Sequence, residues 1–389
     1  MLQLGRLPAR VTVLAVIILG LLSTGTWFAM SHAQATQTAS GHLTTKSGGT
    51  SQTPAVPLTV LSVTPDHHAR HVNGAAPVQI HFSTAVAADS PVPVIKPHIP
   101  GTWQGAGTAE LDFVPTTGFK PLTHVKVRIP AGSAGVRSTS GELLAKKVTV
   151  KFRVGTWSTL RLDQLLAELR YLPLKWKPAT GVTEAAATDA NAQRSAAFNP
   201  PAGRFAWKHG YPAELRTLWA HGKPSLIRQG AIMAFESQHG MTMDGVAGPA
   251  VWRALFKAVA NGQNNGAGYT YARATKYSPE TLTIWHNGHV VFHELTNTGI
   301  PAAPTTSGTA PVYLRYRNQI MKGTNPDGSK YADPVQYVAY FRAGEAVHYF
   351  PRGSYGSPQS LGCVELPLGA AAKAWPYLTY GSLVTVTNP

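Results

Sequence analysis

His348 and Cys363 lie fifteen positions apart in a 389-residue chain, joined by a run of glycine, proline and serine ending Ser360-Leu361-Gly362. These residue types suit acyl transfer, which needs a nucleophile, a base and donors for a developing oxyanion. Cys363 offers a thiol. His348 offers an imidazole able to depress the thiol pKa and later to protonate a leaving amine. Gly362 permits a sharp turn, so amides around Gly362 and Cys363 can converge on one oxygen. An inert buried thiol is a common alternative for a cysteine. Here Ser360 and Gly362 frame it, which favours chemistry.

The elements that must hold this pair read as strands. Leu282 and Ile284 lead into Asn287-Gly288, and Val290 and Phe292 follow, so Asn287-Gly288 marks a two-residue hairpin turn. Val338, Tyr340, Ala346 and His348 continue the alternation; Ala370–Trp375 reads as a short helix and Leu383–Val386 as a last strand. Residues 266–389 thus form a mostly β domain. Upstream, Leu162, Leu165, Leu166 and Leu169 fall on one helical face. A second helix ends at Gly240, and Pro249 opens a third carrying Val251, Trp252 and Leu255. The polar stretch from Pro178 to Ala202 reads as an insertion or loop within a helical domain, 157–260. From 57 to 156 the period is two (Val78, Ile80, Phe82; Val125, Val127, Ile129; Val148, Val150, Phe152), as in a small antiparallel sandwich. Asp66, His67, His68 and His71 cluster there, but four near-adjacent residues do not specify a metal geometry, and a polar loop is expected.

Composition narrows the setting. Lys and Arg number 34 against 18 Asp and Glu, a formal charge of +16. This calls for an anionic partner: nucleic acid, a membrane surface or a bacterial wall polymer. Arg6 and Arg10 precede an uncharged apolar stretch at 11–30, and Ala33-Gln34-Ala35 offers a cleavage site. Residues 1–35 are therefore a signal peptide or membrane anchor, and 36–56 a flexible linker. Export removes nucleic acid from consideration. Cys363 is the sole cysteine, so no intramolecular disulfide and no CxxC site can form. Walker A and HExxH patterns are absent.

Three resemblances follow from these residues. Thr64-Pro65, Phe82-Ser83, Phe113-Val114-Pro115 and Ser140-Gly141 resemble bacterial Ig-like modules. Ala234-Phe235 through Gly240, with Asp244-Gly245-Val246-Ala247-Gly248-Pro249 and Trp252, resembles the peptidoglycan-binding helical repeat of wall hydrolases. His348, Ser360-x-Gly362-Cys363, Thr296–Gly299 and Pro304–Gly308 resemble the YkuD-type L,D-transpeptidase domain. Two positions depart from that last pattern: Leu361 replaces a histidine, and Glu365 stands where arginine is usual. The resemblances imply a multidomain, mainly β protein in three parts. An N-terminal Ig-like β-sandwich and a small helical peptidoglycan-binding domain precede a mostly β L,D-transpeptidase domain. They also imply an exported enzyme in the wall or on the outer face of the cytoplasmic membrane. Its partner would be peptidoglycan, with a donor tetrapeptide and an acceptor stem, within an anionic wall.

By that resemblance Cys363 forms an acyl-enzyme and 3–3 crosslinks result, with neither cofactor nor metal. Ser360 steadies the loop or the oxyanion, Tyr349 positions His348 through its backbone, and Thr296–Gly299 and Pro304–Gly308 face substrate. A sortase would need an arginine after the cysteine, and none follows. Known cysteine endopeptidases of the wall place cysteine before histidine. A wall-binding protein with weak hydrolytic activity or none is the remaining alternative.

Overall fold

The computed structural model describes residues 56–388; the apolar 11–30 segment and most of the linker lie outside them. No helix among the described residues is long and apolar enough to cross a membrane. The Ig-like module is a seven-stranded antiparallel sandwich. One sheet runs Val60–Thr64, Val78–Phe82, Glu110–Pro115, Gly101–Gln104, and the other Val94–Lys96, His124–Ile129, Val148–Arg153. Alternation sorts the faces: Val125, Val127, Ile129, Val150 and Phe152 enter the core between the sheets, while His124, Lys126, Arg128, Lys151 and Arg153 point outward.

Three helices carry the expected apolar faces. Ser158 caps Thr159–Glu168 by accepting from the Leu160 amide, and Leu162, Leu165 and Leu166 are buried. Leu226–Gln238 is capped by Ser225 and followed by Gly240, which is left-handed, and Pro249–Ala260 begins at its proline. Arg228 forks onto Asp163 at 2.5 and 2.7 Å, a buried pair tying the first of these helices to the second.

The stretch expected as a loop at 178–202 is more ordered than its composition suggests. Asp189 accepts from the Asn191 and Ala192 amides and starts a helix, Ala190–Phe198, set between the paired strands Leu174–Pro178 and Gly203–Trp207. Alanines make that helix possible without a broad apolar stripe. It bridges modules. Gln193 accepts from Arg161 within the helical core, while Ser195 accepts from Asn73, Arg194 donates to the Thr116 carbonyl, and Phe198 packs against the Ig-like core.

The last module has two sheets. Five strands run in the order His289–Leu295, Thr281–His286, Thr270–Thr275, Leu383–Thr387, Gly308–Pro311, with Thr270–Thr275 and Leu383–Thr387 parallel. Asn287-Gly288 makes the turn of its first hairpin. Four strands form the other: Leu314–Thr324, Lys330–Arg342, Glu345–Tyr349 and Val364–Leu366. The Leu368–Ala374 helix supplies Ala370, Ala371 and Ala374 to a core lined by both sheets.

This module is not separate from the helices. Tyr269, Tyr271, Trp285 and Leu383 share one core with Leu165, Phe235 and Leu255. The contact is close enough that a methyl group at Gly230 would run into the Gly381 carbonyl. Gly230→Ala should therefore lower unfolding stability by roughly 1–3 kcal/mol, the usual cost of overpacking, seen as a lower urea midpoint with an unchanged slope.

Candidate active site

His348 lies near the end of the Glu345–Tyr349 strand, and Cys363 immediately precedes Val364–Leu366. These strands are parallel, with His348 opposite Glu365 and Val347 opposite Val364. Because side chains alternate at every residue, Ala346, His348, Cys363 and Glu365 share one face. Val347 and Val364 face the module's core instead. The shared face looks into a cavity of about 650 Å³ roofed by the long Leu314–Thr324/Lys330–Arg342 hairpin.

A tight turn presents Cys363. Gly362 has φ +106°, a backbone state that a side chain would strain. Ser360, fully buried, donates to the Cys363 carbonyl at 2.6 Å and accepts from the Gly362 amide at 3.2 Å. The Gly362 amide is thus engaged by Ser360, which departs from the expectation that it faces an oxyanion. Thr305 donates more weakly to the same Cys363 carbonyl and accepts from Gly299.

His348 is set by its neighbour's backbone. Its Nδ1 lies 2.9 Å from the Tyr349 carbonyl, which can only accept, so Nδ1 carries the hydrogen. Nε2 is buried and has no partner among the described residues. Burial lowers the His348 pKa, with the Tyr349 carbonyl and Glu365 opposing and Arg352 adding to the shift. The imidazole is therefore neutral at pH 7, with a bare lone pair on Nε2.

The thiol does not fit the expectation of a depressed pKa. Burial pushes Cys363 up to about 12, against a backbone hydrogen bond from Ala346, and the charges of Glu365 and Glu345 push the same way. Its Sγ sits 4.0 Å from the Met321 thioether and 3.8 Å from the Gly344 carbonyl. Met321 comes from the roofing hairpin, which is why a cysteine framed by serine and glycine is only 8% exposed. Thiol and imidazole both rest uncharged.

Several site residues were invisible in the sequence pattern. Arg352 forks onto Glu365 at 2.8 and 2.9 Å and lines the cavity, so a guanidinium reaches the residue two positions after the cysteine from thirteen residues upstream of that residue. Glu365 is almost wholly buried, and the pair raises the Arg352 pKa through that hydrogen bond. Thr296, Asn297 and Thr298 are also wholly buried. They lie behind the catalytic loop and do not face the cavity: Asn297 pairs with the Glu365 backbone, Gly299 with Ser360, and the Thr298 amide and hydroxyl donate to the buried Glu280 carboxylate. Leu361 and Ile300 do reach the cavity. Among the described residues no group of three or more His, Cys, Asp or Glu could hold a metal; in the His67–His71 cluster, His67 Nδ1 accepts from the Lys151 amide.

Residues 274–386 match the YkuD family of L,D-transpeptidase catalytic domains, and residues 54–154 match bacterial Ig-like domains. The chain carries an L,D-transpeptidase catalytic domain. The helical segment lies between the two matches. No curated protein matches the chain. Among solved structures, the catalytic domain of the Enterococcus faecium L,D-transpeptidase is 25% identical, covering 30% of this chain and 96% of its own, with a TM-score of 0.29. An L,D-transpeptidase from Mycobacterium smegmatis is 14% identical, covering 86% of this chain and all of its own, with a TM-score of 0.29. L,D-transpeptidase 3 from Mycobacterium tuberculosis is 14% identical over 85% of this chain and 98% of its own, with a TM-score of 0.29.

Two outcomes follow for the L,D-transpeptidase domain. Arg352→Ala leaves a buried carboxylate unpaired and should cost roughly 3 kcal/mol of unfolding free energy. Adding Glu365→Gln should recover part of that loss in a double-mutant cycle. Alkylation of Cys363 by iodoacetamide should climb about tenfold per pH unit from pH 7 to pH 10, because only the thiolate reacts and its folded pKa lies above that window. A plateau reached near neutrality would instead mean a thiolate–imidazolium pair.

Proposed function

We propose that the enzyme is exported and exchanges acyl groups on peptidoglycan stem peptides through a Cys363 thioester, forming 3–3 crosslinks. The observation that carries this reading is the shared cavity face of His348 and Cys363, with Nε2 of His348 buried, unprotonated and unpartnered. The thiol attacks the carbonyl carbon of the donor's third residue as its proton passes to Nε2. The C–N bond then breaks, and His348 returns that proton to the departing D-alanine amine. A side-chain amine of a second stem attacks the thioester, His348 takes its proton, and the C–S bond breaks to restore the thiol.

Substrate entry must displace the Met321 thioether, since it covers the sulfur. Starting from neutral partners suits a general base, because charge separates only as the bond forms. Ser360 accepts from the Gly362 amide, and the Cys363 amide is taken as the loop's donor for the oxyanion. Arg352 brings a cation into the same cavity, where stem carboxylates enter. The helical module's likeness to wall-binding repeats and the charge of +16 support a location within an anionic wall.

The test is mass spectrometry of the protein incubated with purified tetrapeptide-stem muropeptides, beside Cys363→Ala. A crosslinked dimer formed with loss of D-alanine in the wild type alone is the expected result. Tripeptide product without dimer would make the enzyme a carboxypeptidase. Bound but unchanged muropeptide would make it a wall-binding protein.

A further inference from the structure

The three-stranded sheet of the Ig-like module turns a row of like charges to solvent. Lys96 stands directly opposite Lys126, and Lys126 opposite Lys151, so three ammonium groups cross the sheet in one line. His124 faces Arg153 one step along the strands, and Arg128 continues the column on the other side. Beneath them Ile95, Val125, Val127, Val150 and Phe152 fill the core, so the outward direction of the cations is fixed by the alternation. No residue of these three strands is acidic, and none of the cations forms a salt bridge among the described residues.

Like charges directly opposite one another destabilise a sheet. Three in a row are therefore a cost to the fold that packing does not explain, since the apolar side of each strand already faces inward. A bound anion removes that repulsion.

The face is also shaped. The loop after the Val60–Thr64 strand folds back over its edge: the His68 amide donates to the Lys151 carbonyl at 2.6 Å, and His67 Nδ1 accepts from the Lys151 amide at 3.0 Å. His68 and His71 both take left-handed backbone angles, φ +67° and +58°, which cost energy for non-glycine residues. The result is a groove of about 420 Å³ in which His68 and Arg70 on the loop confront Lys126, Lys151 and Arg153 on the strands.

We propose that this face is a binding site for a linear polyanion. Strand spacing sets its cations about 5 Å apart across the sheet and about 7 Å apart along it, so one extended phosphate-bearing chain in the groove meets several of them at once. A bilayer surface is planar and does not enter a walled groove. The site lies in the module that does no chemistry, so binding there tethers the catalytic domain to its surroundings without occupying the cavity over Cys363.

Binding of long-chain inorganic polyphosphate to the full chain, followed by titration calorimetry, tests this without any turnover and so apart from the transpeptidase reading. The wild type should bind, weakening about tenfold or more between 50 and 200 mM salt as counterion release predicts. Lys126→Gln/Lys151→Gln and Lys96→Gln/Arg153→Gln should each lose about tenfold in affinity while melting no lower than wild type, because each relieves repulsion. Lys223→Gln/Lys257→Gln, of equal charge change on the exposed helical module, should bind as the wild type does. The proposal is overturned if either face variant keeps wild-type affinity, or if the helical variant loses as much. It also falls if the protein binds phosphatidylglycerol vesicles but not polyphosphate.

Discussion

Parallel pairing between two short strands holds His348 and Cys363 together on one face. Glu345–Tyr349 and Val364–Leu366 run side by side in one register, which puts His348 and Glu365 opposite each other and Cys363 on the same face. A slip by one residue would turn Cys363 into the core and bring Val364 to the cavity. The register is secured from both flanks. Asn297 pairs with the Glu365 backbone on one side, and the Arg352 fork holds its side chain on the other. Thr296 adds a hydroxyl donated to the Glu365 carbonyl at 2.6 Å. Glu365 is thus fixed through backbone and carboxylate alike, and Cys363, two residues before it, inherits that rigidity.

The same burial that fixes the register sets the chemistry. A thiol pushed up to about 12 and a histidine pushed down are a stable neutral pair. Such a pair is unreactive toward solvent and toward oxidants that need thiolate. Reactivity then depends on what displaces Met321 and where the thiol proton goes, so the long hairpin and the bare Nε2 act as one device. The charges of Glu345 and Glu365 strengthen the effect, since both disfavour a thiolate.

Much of this was legible in the sequence because it is local. His348 and Cys363 declare themselves by type, and the alternation around Val338–His348 places the histidine on a strand. The Gly240 and Pro249 signals mark helix ends where they are found, whereas the leucine helix stops at Glu168 with Leu169 as its cap. What escaped was non-local. Met321 covers Cys363 from 42 residues away, so an exposed, acidified thiol was the natural expectation and burial reversed it. Arg352 and Glu365 look like unrelated surface charges until strand pairing joins them. Thr296–Thr298 are polar enough to suggest a substrate wall, yet they satisfy backbone groups and the buried Glu280 carboxylate behind the loop. Polarity in a sequence does not distinguish a residue that meets ligand from one that meets buried backbone.

The Ala190–Phe198 helix shows how these levels connect. Its composition reads as an insertion, because alanine and short polar residues leave no apolar stripe. Lying between two modules, it has little solvent face for such a stripe to be measured against. Gln193 and Ala197 serve the helical core, while Arg194, Ser195 and Phe198 serve the Ig-like module. The Ig-like module therefore meets the helices through directed hydrogen bonds and one aromatic ring, whereas the helices and the catalytic sheets share a continuous core. A docking of that kind is more polar and more easily parted than a shared core.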